Sequence, residues 1–295
     1  MDKKTVYEII SDQIIASLET GNIPWRKPWK SGMPLNIRGT EYRGINTVLL
    51  SLAAFETPIY ATYNQIKNDM GGQVRKGEKG FPVVFWKALE RKKNGVVVTR
   101  PDGKPETFPI MRYYTVFNID QADIDRARKQ EIVDALIKPV AHKPIDAAET
   151  IVHDYLGREK VGLHTGGARA FYRPSEDSVN MPALSAFDTP EEYYSTLFHE
   201  CGHSTGHEKR LAREGIAEQH YFGDPVYSFE ELIAEMSAAM SCGRLRLEQV
   251  TLKNSGAYIK NWLGVLKGDP KMVVRAGGQA QKATDLIFGD VKEKK

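Results

Sequence analysis

The stretch Thr189-Pro190-Glu191-Glu192-Tyr193-Tyr194-Ser195-Thr196-Leu197-Phe198-His199-Glu200-Cys201-Gly202-His203 is written as a helix with its own start signal. Thr189 has the short hydroxyl side chain of an N-cap, and Pro190 suits the first helical position. Glu192 stands three residues after the cap, where a capping box asks for Glu or Gln. His199 and His203 are four apart, so on a helix both imidazoles leave one face and can hold one metal ion. Glu200, between them, points to the neighbouring side, within reach of a water on that metal. Cys201 lies two residues from each histidine, about 200° around a helix of 3.6 residues per turn, and so faces away as a small buried residue.

His-Glu-x-x-His on a helix is the pattern of zinc metallopeptidases. Catalytic zinc takes three protein ligands and keeps a position for water, so a third ligand must come from elsewhere. Residues 228–240 are helical by their pattern and offer Glu230, Glu231 and Glu235. Glu231 and Glu235 lie one turn apart on one face, so one can bind metal while the other holds a ligand histidine from behind. Ser228-x-x-Glu231 also reads as a capping box, which would leave Glu235 as the ligand. His207 is an alternative ligand, although Gly206 should end the helix before it, and His220 could line the cleft. His142, His153 and His164 carry no spacing signal. Two short strands are expected at 170–172 and 178–182 around a turn at 174–177, and a strand edge there could hold an extended peptide.

The 295 residues suffice for one large or two ordinary domains. Hydrophobic residues at 41% and charged ones at 27% are those of a soluble globular protein. No run of about 20 apolar residues occurs, so no membrane span or membrane partner is expected. The start, Met1-Asp2-Lys3-Lys4, leads into a polar amphipathic segment and not an apolar signal region. Two cysteines, Cys201 and Cys242, cannot make a disulfide framework, which points to the cytoplasm. The net charge of +3 hides an asymmetry: residues 1–119 hold 18 Lys and Arg against 11 Asp and Glu, while the remainder is mildly acidic. A basic half joined to an acidic one suggests two jobs.

In the basic half, residues 4–20 repeat apolar side chains at helical spacing until Gly21-Asn22. Then Ile23-Pro24-Trp25-Arg26-Lys27-Pro28-Trp29-Lys30 packs two indoles and three cations into eight residues. Unpaired bases offer a π face for each ring and a phosphate for each cation, with stacking of about 1–3 kcal/mol per base. The competing reading makes Trp25 and Trp29 core anchors under a loop. A buried helix over 47–55, a short helix from Thr62 and a strand over 81–87 follow. The basic turn with Arg75, Lys76 and Lys79 precedes that strand. A hairpin over 89–108 and an aromatic strand over 112–118 complete a possible single-strand platform. Residues 138–144, with two prolines, read as a linker, which places domains at 1–138 and 139–295. Helices over 145–155, 257–266 and 276–288 are expected in the second.

Pro24-Trp25…Pro28-Trp29, Tyr42-Arg43-Gly44-Ile45-Asn46 and Val74-Arg75-Lys76-Gly77-Glu78-Lys79 resemble the antirestriction proteins of the ArdC type. So do His199 to His207 with Arg210-Leu211, and Glu230 to Glu235. The matches run through both halves in one order. The resemblance implies an α+β protein of two domains: an N-terminal mixed α/β domain that binds single-stranded DNA, and a C-terminal zincin-like metallopeptidase domain. Carriage on conjugative plasmids and protection of incoming DNA from host restriction are implied with it. In related zincins the ligand glutamate opens a Glu-x-x-Ala-acid frame, which Glu231-Leu232-Ile233-Ala234-Glu235 fits. The site that follows is His199, His203 and Glu231 on Zn²⁺, or another divalent ion such as Mn²⁺. Glu200 is the general base and Glu235 supports from behind.

The nucleic-acid set is Trp25, Arg26, Lys27, Trp29, Arg43, Arg75, Lys76 and Lys79. The partners expected are single-stranded DNA and, for the peptidase site, a protein of the host restriction system. Two other classes stay open: a DNA-binding shield with a structural or vestigial metal site, and a processing protease whose basic half docks a protein.

Overall fold

A computed structural model describes residues 4–23, 32–52, 55–137, 144–217, 225–247 and 255–290. Trp25, Arg26, Lys27 and Trp29, residues 138–143 of the expected 138–144 linker, and His220 lie outside them, while Pro144 opens a helix.

The chain opens with helix α1 (Val6–Glu19), begun by a capping box in which Thr5 and Glu8 satisfy each other's backbone amides. Short strand β1 (Leu35–Asn36), helix α2 (Ile45–Ser51), strand β2 (Ile59–Ala61) and helix α3 (Tyr63–Asn68) follow, the last with its own Thr62/Gln65 capping box. Next come β3 (Gln73–Val74), β4 (Phe81–Glu90), β5 (Lys92–Lys93), β6 (Val96–Val97), β7 (Thr107–Asn118) and β8 (Ala122–Asp123). β4 and β7 pair over ten residues, from Phe81↔Val116 to Glu90↔Thr107, and make a long antiparallel ribbon. Its inner end joins the sheet β1-β2-β7-β4, and its outer end carries the β5–β6 hairpin. The expected hairpin over 89–108 is therefore the tip of a longer ribbon.

Helix α4 (Arg126–Leu136) falls in a charged stretch that carried no helix expectation. It has no fully buried residue, and Asp125 caps it. Its apolar residues Ile132, Val133 and Leu136 pack from outside on a cluster of Ile59, Ile66, Met70 and Ile119.

The second half comprises α5 (Pro144–Glu159), β9 (Gly162–Thr165), β10 (Phe171–Arg173), β11 (Ser178–Met181), α6 (Pro190–Ser204), α7 (Glu214–Ala217), α8 (Pro225–Leu245), α9 (Ser255–Gly268) and α10 (Met272–Phe288). β10 and β11 form the expected hairpin, and β11 also pairs in parallel with β9, giving the order β10-β11-β9. Tyr155, Val179, Phe198, Cys201, Cys242 and Ile287 belong to one core that joins α5, this sheet, α6, α8 and α10. Both thiols are buried there, and burial drives both pKa values up, that of Cys242 to about 12. Cys201 thus faces the core, as its angular position requires.

Ile10, Ile14 and Leu18 of α1 and Val48 and Leu49 of α2 share a second core with Ile233, Met236 and Met240 of α8, Trp262 of α9 and Ala276 of α10. The basic and acidic halves are thus packed together over one apolar interior. Polar bonds seal the same junction: Gly44 N–H donates to Gln281 Oε1 at 2.8 Å, and Arg43 pairs with Asp285. Among the described residues no helix is long and apolar enough to cross a membrane.

Candidate metal centre and nucleic-acid face

Helix α6 starts as its sequence asks, with one change. Thr189 Oγ1 accepts from Glu192 N–H at 3.2 Å, but the Glu192 carboxylate accepts from Asp188 N–H at 3.1 Å, one residue before the cap. Two turns on, His199 and His203 face the same side with their Nε2 atoms 3.2 Å apart. Helix α8 crosses α6 where Gly202 meets Ala234 and Ser237; a Cβ on Gly202 would lie 3.2 Å from Ala234 Cα. That approach carries Glu231 to the histidines, with Oε2 3.6 Å from His199 Nε2 and Oε1 3.4 Å from His203 Nε2.

Three ligand groups at such spacings fit an ion. Ligand atoms placed tetrahedrally about 2.0–2.1 Å from a metal lie about 3.3–3.4 Å from one another. Among the described residues, His199, His203 and Glu231 are the cluster able to do this. Glu200 is buried on α6 between the two histidines in sequence.

The competing capping reading of Ser228 is not what forms. α8 begins at Pro225, so Ser228 is a buried residue inside the helix and Glu231 faces the histidines. Glu235 is buried one turn later and stands outside the metal cluster. A carboxylate beside His203 is that of Glu230, with Oε1 3.3 Å from Nδ1. Glu230 is in turn gripped by Arg213, whose Nε and Nη2 reach its two oxygens at 2.8 and 2.6 Å. His207 follows the end of α6, accepts from Lys209 N–H at Nδ1, and is no part of the cluster.

Charge and burial compete in this cluster. Burial would raise the Glu231 carboxyl, yet the His203 hydrogen bond, the charges of His203 and His199 and the Tyr227 hydroxyl hold it at about 2. Burial would likewise lower His203, yet Glu230 and Glu231 raise it well above 6.5.

A second buried network ties the sheet to α6. Arg210 donates to Ser204 O at 2.7 Å, to Asp177 through both terminal nitrogens, and to Tyr172 Oη at 3.3 Å. Tyr155 Oη and Ser204 Oγ, 2.7 Å apart, extend it into the core. Neither Arg210 nor Arg213 stood out as a site residue in sequence.

Of the expected nucleic-acid residues, Arg43 is paired with Asp285. Arg75 donates to Asp120 O and Glu78, closing its own turn, while Lys76 and Lys79 are exposed. The ribbon adds side chains that carried no individual expectation. Phe85 stands opposite Arg112 in register, and Lys87, Leu89, Phe108 and Tyr114 share that face. Phe85, Phe108 and Tyr114 are exposed, and the Phe85 and Tyr114 rings lie 5.9 Å apart. On the opposite face Val84 and Met111 pack on the shared core, while Trp86, 59% exposed, and Tyr113 extend past it.

A helix with two histidines on one side, a glutamate brought to them from the next long helix and a small flanking sheet define a zincin-like metallopeptidase domain, here joined to a mixed α/β domain. Residues 148–279 match the zincin-like metallopeptidase family, and residues 4–117 match the N-terminal domain of anti-restriction factor ArdC. The chain belongs to the ArdC antirestriction family. The metal-free structure of the ArdC protein from plasmid R388 is 35% identical, with a TM-score of 0.76 over 98% of this chain and all of that one. A Mn(II)-bound structure of the R388 protein gives 36% identity and a TM-score of 0.73 over 99% of this chain and all of that one. Among curated proteins, y4eC of Sinorhizobium fredii is 34% identical over 96% of this chain and 91% of its own length. A DNA primase TraC of Escherichia coli is 34% identical over 97% of this chain. The chain spans only 20% of that primase and 27% of a second TraC primase.

Proposed function

We propose that the chain is an antirestriction protein that binds single-stranded DNA through residues 1–138 and carries a divalent-metal peptidase site in residues 139–295. It would act in the bacterial cytoplasm, protecting incoming plasmid DNA. The observation that carries the chemical half of this reading is the convergence of His199, His203 and Glu231 at the edge lengths of a tetrahedral site. Two imidazoles and a carboxylate suit Zn²⁺, and one structure of the related R388 protein is Mn(II)-bound. When bound, such an ion supplies Lewis acidity toward a carbonyl and lowers the pKa of water. Glu200 takes the proton of the attacking water and returns it to the leaving amine. Glu231 and the two histidines would hold the ion, with Glu235, one turn from Glu231 on α8, supporting from behind. The protein cleaved would be one of the host restriction system.

For DNA, the exposed Phe85, Phe108 and Tyr114 supply stacking surfaces beside Arg112 and Lys87, in the manner of sequence-tolerant single-strand sites. Trp25, Arg26, Lys27, Trp29, Lys76 and Lys79 would contribute further stacking and phosphate contacts, as would Arg43 and Arg75 at the cost of their present pairings.

The test is plasmid transfer into a restricting host with wild type, Glu200→Gln and a Phe85→Ala/Tyr114→Ala variant, at matched protein levels. Loss of protection in both variants is the expected result. Full protection by Glu200→Gln would make DNA shielding sufficient and remove peptide cleavage from the mechanism.

A further inference from the structure

The two ligand histidines are held differently. His199 Nδ1 is buried and has no hydrogen-bond partner among the described residues. His203 Nδ1 faces Glu230, and Glu230 is fixed by Arg213. Arg213 is itself anchored to the ligand helix, donating to Gly202 O and Thr205 Oγ1 at 2.8 Å each. Its guanidinium lies where a Cβ on Gly206 would come within 2.8 Å of Nη2, so only glycine leaves it room. The residue before it, Ala212, has φ +47°, a left-handed conformation that costs a non-glycine residue about 1–2 kcal/mol. A strained turn, a glycine clearance and four hydrogen bonds therefore fix Arg213, and two of the four grip the one carboxylate behind one ligand.

We infer that Arg213 and Glu230 are a positioning pair for the metal centre: they keep the proton of His203 on Nδ1 and its Nε2 lone pair aimed at the ion. The inference rests on the metal-site reading above. Neutral imidazole carries one N–H, and whichever nitrogen meets a carboxylate keeps it, leaving the other as the ligand. Glu230 is an acceptor on both oxygens while Arg213 neutralises it, so it cannot donate to Nδ1 and turn the ring's chemistry around. A glutamine there could present its amide N–H₂ to Nδ1 and favour the wrong tautomer. His199 has no such partner among the described residues, so the site's geometry depends on His203 being held.

The experiment uses the full chain loaded with Zn²⁺ and labelled with ¹⁵N-histidine. Long-range ¹H–¹⁵N spectra should give a His203 Nδ1–H proton that exchanges with water far more slowly than that of His199. Zn²⁺ affinity, measured by competition with a chelator on folded protein, should fall about 10–100-fold in Glu230→Gln and in Arg213→Lys. Asp177→Asn, which cuts the neighbouring buried Arg210 network without touching a ligand, should lower thermal stability and leave Zn²⁺ affinity within about twofold of wild type. Affinity unchanged in Glu230→Gln, or a wild-type His203 Nδ1–H exchanging as fast as that of His199, would overturn the inference. The second result needs no variant to fold. Wild type that binds no divalent ion would bring down the metal-site reading, and the positioning pair with it.

Discussion

Gly202 and Ser237 lie so close that a Cβ built on Gly202 would sit 2.5 Å from Ser237 Oγ. This contact sets how near the histidine helix comes to the glutamate helix, and hence whether one ion can touch both. Gly202→Ala should push α6 from α8, destabilise the protein by about 1–3 kcal/mol and weaken Zn²⁺ binding. Calorimetric melts with and without Zn²⁺ measure both. Adding Ser237→Gly should recover part of each loss; no recovery would mean that the Ala234 backbone, 3.2 Å away, is what cannot yield.

Metal binding should release a proton. His203 is held well above 6.5, so at neutral pH the metal-free ring is charged and must deprotonate before its Nε2 can bind. Affinity should rise about tenfold per pH unit below the pKa of His203 and level off above it. Titration calorimetry in two buffers of different ionisation enthalpy counts the protons. A buffer-independent enthalpy at pH 7 would contradict the assignment.

The same groups shape acid and alkaline stability of the metal-free protein. Glu231, lowered to about 2, contributes stability that is present above its unfolded value of 4.5 and lost as pH falls toward 2. His203, raised, contributes stability present below 6.5 and lost as pH climbs through its folded value. The benefit of the pair is therefore greatest between about pH 4.5 and 6.5. Melting midpoints of wild type minus those of His203→Gln, plotted against pH, should peak in that window.

Asp177→Ala should cost about 3 kcal/mol, because the Arg210 side chain, 2% exposed, would be left as an uncompensated buried charge. Burial would raise the Asp177 carboxyl, but Arg210 and Tyr172 hold it below 3.8. Its contribution is thus full at neutral pH and disappears in acid below that value. Urea unfolding at pH 7 and at pH 3 should show a smaller difference between variant and wild type at the lower pH.

On the ribbon, Phe85→Ala and Tyr114→Ala should each weaken binding of a single-stranded oligonucleotide by about 1–3 kcal/mol. Arg112→Ala should lower the slope of log affinity against log salt by about 0.7. Fluorescence anisotropy over a salt series reads both. Equal losses on duplex DNA would point to a general electrostatic surface.

What was legible in sequence was whatever the chain writes locally. Thr189, Pro190 and the spacing of His199 and His203 announce a capped helix with two imidazoles on one face, and Thr62 marks the start of another helix. Glu231 needed the frame of its own helix, since Ser228-x-x-Glu231 gives a capping signal that the earlier start at Pro225 makes irrelevant. Glu230 and Arg213 are 17 residues apart, and no periodicity links a loop arginine to a helix glutamate. Glu230 carried no expectation of its own because spacing shows which residues share a helix face, and not which carboxylate finds the imidazole. Helix α4 was missed because a helix that buries no residue completely leaves a weak apolar stripe.

The shared interior of α1, α2 and α8 to α10 has a consequence for how the chain can be divided. Severed between 137 and 144, each fragment would carry half of an apolar surface that the other is shaped to cover. Such fragments should be poorly soluble alone and should reassemble when mixed, recovering Zn²⁺ binding from two pieces of which only one bears the ligands. The similarity to the TraC primases runs through both halves in one block, as inheritance of a single indivisible cassette would require.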